Sequence, residues 1–147
     1  MLVEEAMTTD LVTCDVDATV RDGTERMLRN RVGSVVVTDG GTPAGILTES
    51  DVLHAGYVTD DPLSSIPVRK AASAPLVTVR PRATLRTATE RMRSEGVKKL
   101  VVVDGVTPEG IVTTQDVVDN FARVRREVRD LATDATGWSE RSDRFRG

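Results

Sequence analysis

Apolar positions along this chain fall in short blocks, and the blocks come in matched sets. Val35-Val36-Val37 and Leu100-Val101-Val102-Val103 are continuous apolar runs, which predicts strands buried on both faces at 34–38 and 99–103. Shorter β-type runs at 11–14 and 76–79 precede them. Between each pair of runs lies a segment with Met27 or Met92 on its apolar side, opened by Thr19 or Thr84 as a helix N-cap. Asp39-Gly40-Gly41-Thr42-Pro43 and Asp104-Gly105-Val106-Thr107-Pro108 read as turns. They lead into the strands Gly45-Ile46-Leu47 and Gly110-Ile111-Val112, and a second helix begins near Ser50 or Gln115. Each set is therefore a β-α-β-β-α unit, preceded by a short helical turn at Val3 to Met7 or Val68 to Ala72.

The matching is a true internal repeat. A shift of 65 positions aligns residues 3–53 with 68–118 without a gap. Between 11–53 and 76–118, 22 of 43 positions are identical, so the two halves share one fold. A unit of this size buries too little surface to stand alone, and two copies can bury their sheets against each other about a pseudo-twofold axis. The expected class is mixed α/β (α+β), with repeat 1 at 1–57, a linker at 58–67, repeat 2 at 68–122 and a C-terminal helical extension with a tail at 123–147.

Composition narrows the function. Hydrophobic residues at 39% and charged residues at 29% describe a folded globular chain rather than a disordered one. No apolar run is long enough to span a bilayer, and the start Met1-Leu2-Val3-Glu4-Glu5 lacks the features of a secretory signal, so a cytoplasmic location is the default expectation. Cys14 is the sole cysteine and His54 the sole histidine. An intrachain disulfide and the usual four-ligand zinc site are thereby excluded. A net charge of −3 argues against a broad nucleic-acid-binding face, leaving only a local patch at Arg123 to Arg129. The chain has no P-loop, nucleophile–base pair or carboxylate cluster for paired metals, so no enzyme activity is expected.

The chemistry-bearing motif is Gly45-Ile46-Leu47-Thr48-Glu49-Ser50-Asp51, with its partner Gly110-Ile111-Val112-Thr113-Thr114-Gln115-Asp116. Each places a hydroxyl and a carboxylate three residues apart where a strand becomes a helix. The simple reading is a capping box. The sharper reading uses the same geometry: a helix N-terminus suits a phosphate, and the carboxylate can accept from a vicinal diol. Phosphate and ribose together describe a nucleotide.

These features, with the preceding Val-Val-Val-x-Asp-Gly turn, resemble a tandem pair of cystathionine-β-synthase (CBS) domains over about residues 1–122. The resemblance implies two clefts between the units for AMP, ADP or ATP, or for S-adenosylmethionine, with no cofactor required. It implies a regulatory module, a homodimer and an unidentified regulated partner. Carried over to this sequence, it places Thr48, Ser50 and Asp51 in a first cleft, walled by Val77, Thr78, Val97, Lys98 and Lys99. It places Thr113, Gln115 and Asp116 in a second, walled by Val12, Thr13, Cys14, Val32, Gly33 and Ser34. Family members often carry a proline in the buried strand, where this chain has Val35-Val36-Val37 and Leu100-Val101-Val102. The alternative is an interaction module whose clefts are vestigial.

The clefts are expected to differ in charge. Gly33-Ser34 in one repeat stands where the other has Lys98-Lys99, so the first cleft is expected to bind a polyphosphate more tightly. Glu49 would oppose a phosphate if it pointed inward. Beyond the repeats, Val117, Phe121, Val124, Val128 and Leu131 alternate spacings of four and three, which predicts one continuous helix with a single apolar stripe. Residues 133–147, with Trp138 and Phe145, read as a mobile tail.

Overall fold

The computed structural model describes residues 1–131. The expected tail, with Trp138 and Phe145, lies outside the described residues, as do the side chains of Val128 and Leu131. In order, the elements are α1 (Val3–Ala6), β1 (Thr13–Asp15), α2 (Val20–Asn30), β2 (Ser34–Asp39), β3 (Thr42–Thr48) and α3 (Glu49–Thr59). A 3-10 turn at Leu63–Ser65 follows, then α4 (Val68–Ala71), β4 (Thr78–Val79), α5 (Leu85–Glu95), β5 (Lys99–Asp104), β6 (Thr107–Thr113), α6 (Thr114–Asp119) and α7 (Phe121–Leu131).

Each repeat builds a three-stranded sheet, β1-β2-β3 or β4-β5-β6. The first pair of strands in each is parallel, joined by a helix, and the second is an antiparallel hairpin. Gly40 and Gly41 close the first hairpin, both at positive φ, the conformation that a tight two-residue turn demands. Pro43 and Pro108 sit just beyond a register shift in their hairpins, where the ladder tolerates a missing N–H. The sheets approach each other through β3 and β6. Alternation along β2 sends Val35 and Val37 to the helix side and Val36 to the opposite face; Leu100, Val102 and Val101 do the same along β5.

The short leading helices are exchanged. α1 precedes the first repeat, yet Val3 is fully buried in the core of the second, with Val79, Leu85 and Met92. Val3 N donates to Ala83 O at 2.7 Å, and Leu85 N to Met1 O at 2.9 Å. α4 mirrors this: Val68 is buried in the core of the first repeat, with Cys14, Met27 and Val35. Val68 N donates to Ala18 O at 2.9 Å, and Val20 N to Ile66 O at 2.8 Å. From each leading helix the chain crosses the other repeat's hairpin and returns to its own sheet. Thr8 and Ile111 exchange two backbone hydrogen bonds at 2.9 and 3.0 Å; Ser73 and Ile46 do so at 2.9 and 3.1 Å. The linker expected at 58–67 is accordingly a packed segment at its end, since Ile66 is buried.

The straps explain the glycine of each Gly-Ile motif. A Cβ on Gly45 would stand 2.9 Å from Ser73 O, and one on Gly110 would stand 2.5 Å from Thr8 O. Only glycine lets the crossing backbone approach so closely.

The expected single C-terminal helix is broken. α6 ends at Asp119, and Asn120 leaves helical geometry with φ −103° and ψ 11°. Its side-chain amide donates back to Asp116 O at 2.7 Å, and its carbonyl accepts from Arg123 N and Val124 N to begin α7. The break lets both Val117 and Val124 pack on the second repeat's core. Arg123 Nη2 donates to Glu5 Oε1 at 2.9 Å, and the Met1 amino group pairs with Glu127, so α7 is also tied to α1.

Pseudo-symmetry supplies a test of packing. Gly23 faces Leu47, and an added Cβ would lie 2.6 Å from Leu47 Cδ2; the corresponding pair in repeat 2 is Ala88 and Val112, one methyl group moved across the contact. Overfilling a packed core costs about 1–3 kcal/mol, while alanine gains about 1 kcal/mol over glycine within a helix. Gly23→Ala is expected to destabilise the wild-type chain and to stabilise the chain already carrying Leu47→Val. Urea unfolding of the four members of the cycle measures this, and effects that simply add refute the pairing.

Candidate functional site

Both strand-to-helix junctions form the capping box. Thr48 Oγ1 accepts from Asp51 N at 3.2 Å, and Asp51 Oδ2 accepts from Thr48 N at 2.9 Å. Thr113 Oγ1 accepts from Asp116 N at 3.1 Å, and Asp116 Oδ2 accepts from Thr113 N at 2.8 Å and from the Thr113 hydroxyl at 3.1 Å. The first N–H of each helix is also engaged: Glu49 N donates to Gly33 O at 3.2 Å, and Thr114 N to Lys98 O at 3.0 Å. The helix starts therefore offer fewer donors than an uncapped terminus. At α3 the Ser50 N–H remains, reinforced by the Ser50 hydroxyl and the dipole.

The first cleft encloses about 550 Å³ beside this helix start. Thr48, Ser50, Val77, Val97, Lys98 and Lys99 line it, as do Ile46, Ser73, Pro75 and Leu76. Asp51 does not line it, but its Oδ1 accepts from the hydroxyl of the lining residue Ser73 at 3.4 Å. Thr78 turns away and lines a different cavity. The second cleft is much smaller, about 170 Å³. Val12, Val32, Gly33, Ser34 and Thr113 line it, with Thr8, Asp10, Leu11, Ile111 and Lys99. Thr13, Gln115 and Asp116 do not line it.

Cys14 is a correction to the second cleft's expected wall. It is 3% exposed and packs with Met27, Val35 and Leu47 in the core on the helix side of the sheet. Burial pushes its thiol pKa up. The strap residues Ser73, Pro75 and Leu76, and likewise Thr8, Asp10 and Leu11, were missed by sequence reasoning. Their signal was the 65-residue offset itself, which relates Thr8 to Ser73 and Leu11 to Leu76.

Charge at the site is concentrated on one side. Gly33, Ser34 and Glu49 in the first repeat correspond to Lys98, Lys99 and Thr114 in the second. Lys98 is exposed and Lys99 half-buried. Burial holds the Lys99 pKa below the ordinary lysine range, and the Glu49 carboxylate partly offsets this. Glu49 lines the first cleft and leans over Gly33, where an added Cβ would lie 2.6 Å from its Oε1 and 3.3 Å from Lys99 Nζ.

A larger cavity of about 980 Å³ lies apart from both clefts, with Arg80, Arg82 and Arg91 facing Glu4, Asp104 and Glu109. Its charges are mixed, and Ala83 and Thr87 at the start of α5 border it. Among the described residues, no group of His, Cys, Asp and Glu is arranged to hold a metal, and no helix is long and apolar enough to cross a membrane.

Comparison with known proteins places this geometry. The sequence model of the CBS domain matches residues 3–57 and again 65–123. The CBS domain-containing protein YhcV of Bacillus subtilis is 29% identical over 119 residues, covering 80% of this chain and 84% of that protein. An uncharacterized protein of Methanocaldococcus jannaschii is 29% identical over 137 residues, covering 84% of this chain. This chain spans only 32% of that archaeal relative's length. Among solved structures, a CBS domain protein of Pyrobaculum aerophilum complexed with AMP superposes with a TM-score of 0.71 at 25% identity, covering 80% of this chain and 90% of that one.

The Lys99 environment has a pH signature. Its folded-state pKa is depressed, so between that value and the ordinary lysine range the unfolded chain binds more protons. Stability from this group is reduced at neutral pH and recovers as the pH rises through that window. The unfolding free energy of wild type relative to Lys99→Ser is expected to increase as the pH rises from neutral toward the ordinary lysine range. Denaturant unfolding across that range measures the difference, and a flat or falling difference contradicts it.

Proposed function

The chain belongs to the CBS domain family, with two of its units in tandem, and on that premise we propose that it is a regulatory adenine-nucleotide sensor. One observation carries the reading. The first cleft brings the start of α3 with Glu49, the side chains of Lys98 and Lys99 and the apolar walls Ile46, Leu76, Val77 and Val97 around one space of about 550 Å³. That volume falls within the roughly 300–1,000 Å³ of small-molecule sites. The apolar walls suit an adenine ring. The Ser73 hydroxyl in the wall and the Asp51 Oδ1 it bonds suit ribose, and Ser50 with the two lysines suits phosphate.

The ligand is AMP, ADP or ATP, with the two lysines favouring the longer phosphates; S-adenosylmethionine, which lacks phosphate, leaves them unused. The role is non-catalytic. A nucleotide spanning both repeats would change their relative arrangement to the extent that it binds one arrangement better than another.

A homodimer completes the reading. Leu28 on α2 and Leu53, Tyr57 and Val58 on α3 are exposed large apolar residues, with Tyr57 at 89%. A second copy of the chain covering this face would remove them from water. Leu53→Glu is expected to shift the chain toward monomer in sedimentation velocity, and an unchanged sedimentation coefficient argues against this face.

Nucleotide binding is tested by calorimetric titration with AMP, ADP, ATP and S-adenosylmethionine, together with thermal unfolding. A ligand that binds only the folded chain stabilises it by about 2.7 kcal/mol at a hundredfold excess over Kd. Asp51→Asn keeps an oxygen for the Thr48 N–H and removes the charge offered to ribose. It is expected to weaken binding by about tenfold or more, as a charge-assisted hydrogen bond contributes about 1.5–3 kcal/mol. No thermal shift with any adenylate leaves the vestigial-cleft alternative.

A further inference from the structure

The two clefts are built largely from residues that correspond at the 65-residue offset, but Gly33 and Lys99 line both, and Glu49, Ser50, Gly96 and Val101 line the first while their counterparts Thr114, Gln115, Arg31 and Val36 do not line the second. Leu11, Val32 and Thr113 in the second cleft answer to Leu76, Val97 and Thr48 in the first. Lys99 lines both clefts, whereas its counterpart Ser34 lines only the second. The volumes divide the same way, about 550 Å³ against about 170 Å³. The smaller value lies below the roughly 300 Å³ lower bound of small-molecule sites.

Building on the sensor reading, we propose that Lys99 is a specificity-determining residue that restricts this chain to one nucleotide, bound in the first cleft. Its side chain runs along the wall that the clefts share and takes up space in the second. Gly33 permits this position, because any Cβ there would meet Glu49 Oε1 at 2.6 Å and Lys99 Nζ at 3.3 Å. The first cleft is not obstructed in return, because Ser34, a short and buried residue, stands at the corresponding place. A sequence duplicated about a pseudo-twofold axis thus carries two potential sites, and Lys99 is the long side chain that reaches from one into the other.

The experiment pairs a titration with a readout that needs no nucleotide. Calorimetry with ATP and AMP is expected to give one site per chain for wild type and two for Lys99→Ser. Lys99→Met retains the length of the arm without its charge and is expected to keep one site, with its preference for ATP over AMP reduced. In the absence of nucleotide, Leu11→Cys and Leu76→Cys report the two clefts separately through labelling by a bulky maleimide, with native Cys14 buried in the core. Labelling inside a blocked cleft needs a local opening, so Leu11→Cys is expected to react at least about tenfold more slowly than Leu76→Cys. Adding Lys99→Ser is expected to bring the two rates together. One site in Lys99→Ser, or equal labelling rates with Lys99 present, overturns the proposal. Absence of adenylate binding in every variant would defeat the sensor reading, while the labelling ratio would still decide whether Lys99 blocks the second cleft.

Discussion

The structure depends on a reciprocal exchange: each repeat takes its first helix from the other. Val3 and Val68 are fully buried, each in the core built on the other repeat's sheet. Full burial of a valine contributes roughly 1.5–3 kcal/mol, and here it is accompanied by paired backbone hydrogen bonds at both ends of each inserted segment. Neither core is complete without the partner repeat. Sheet contact through β3 and β6 adds to the union, but the exchange is what makes the pair one cooperative unit.

The clefts follow from the same arrangement. A leading segment that has crossed the other hairpin must turn back to its own sheet, and the space beneath that return is the cleft. Its floor is therefore a strap, with Ser73, Pro75 and Leu76 on one side, while its rim is the start of a helix belonging to the other repeat. Gly45 and Gly110 set how closely strap and hairpin meet. The capping box fixes Thr48 and Asp51 in place, and it does so by consuming donors and acceptors that a ligand could otherwise use. Structural and binding roles thus share the same few atoms, with Asp51 Oδ1 bonded to the hydroxyl of the lining residue Ser73.

Much of this was legible in the sequence because it is local. The repeat, the strand order, the helix caps at Thr19, Thr48, Thr84 and Thr113, and the CBS family all follow from short-range pattern. The exchange was not legible, since the hydrophobicity of Val3 and Val68 states that they are buried but not in which core. Cys14 was misplaced because a short β-type run does not state which face meets the helices, and Cys14 lies on the helix side with Met27 and Val35. The break at Asn120 escaped a periodicity argument because the apolar spacing continues through it while the backbone does not. The reach of Lys99 into both clefts depends on where a long side chain lies near a pseudo-twofold axis, which neither repeat specifies alone.

The exchange also sets the order in which the chain can become native as it is synthesised. The first sheet can form its strands early, but the gap that Val68 fills stays open until the segment following Ile66 has emerged. α1, made before either sheet, has no resting place until Ala83 and Leu85 arrive to receive it. Contacts so distant along the chain carry a loop-closure entropy before they return any stabilisation, and they slow folding accordingly. An exposed Val3 on the nascent chain is thus the lasting by-product of a duplication whose halves never became self-sufficient.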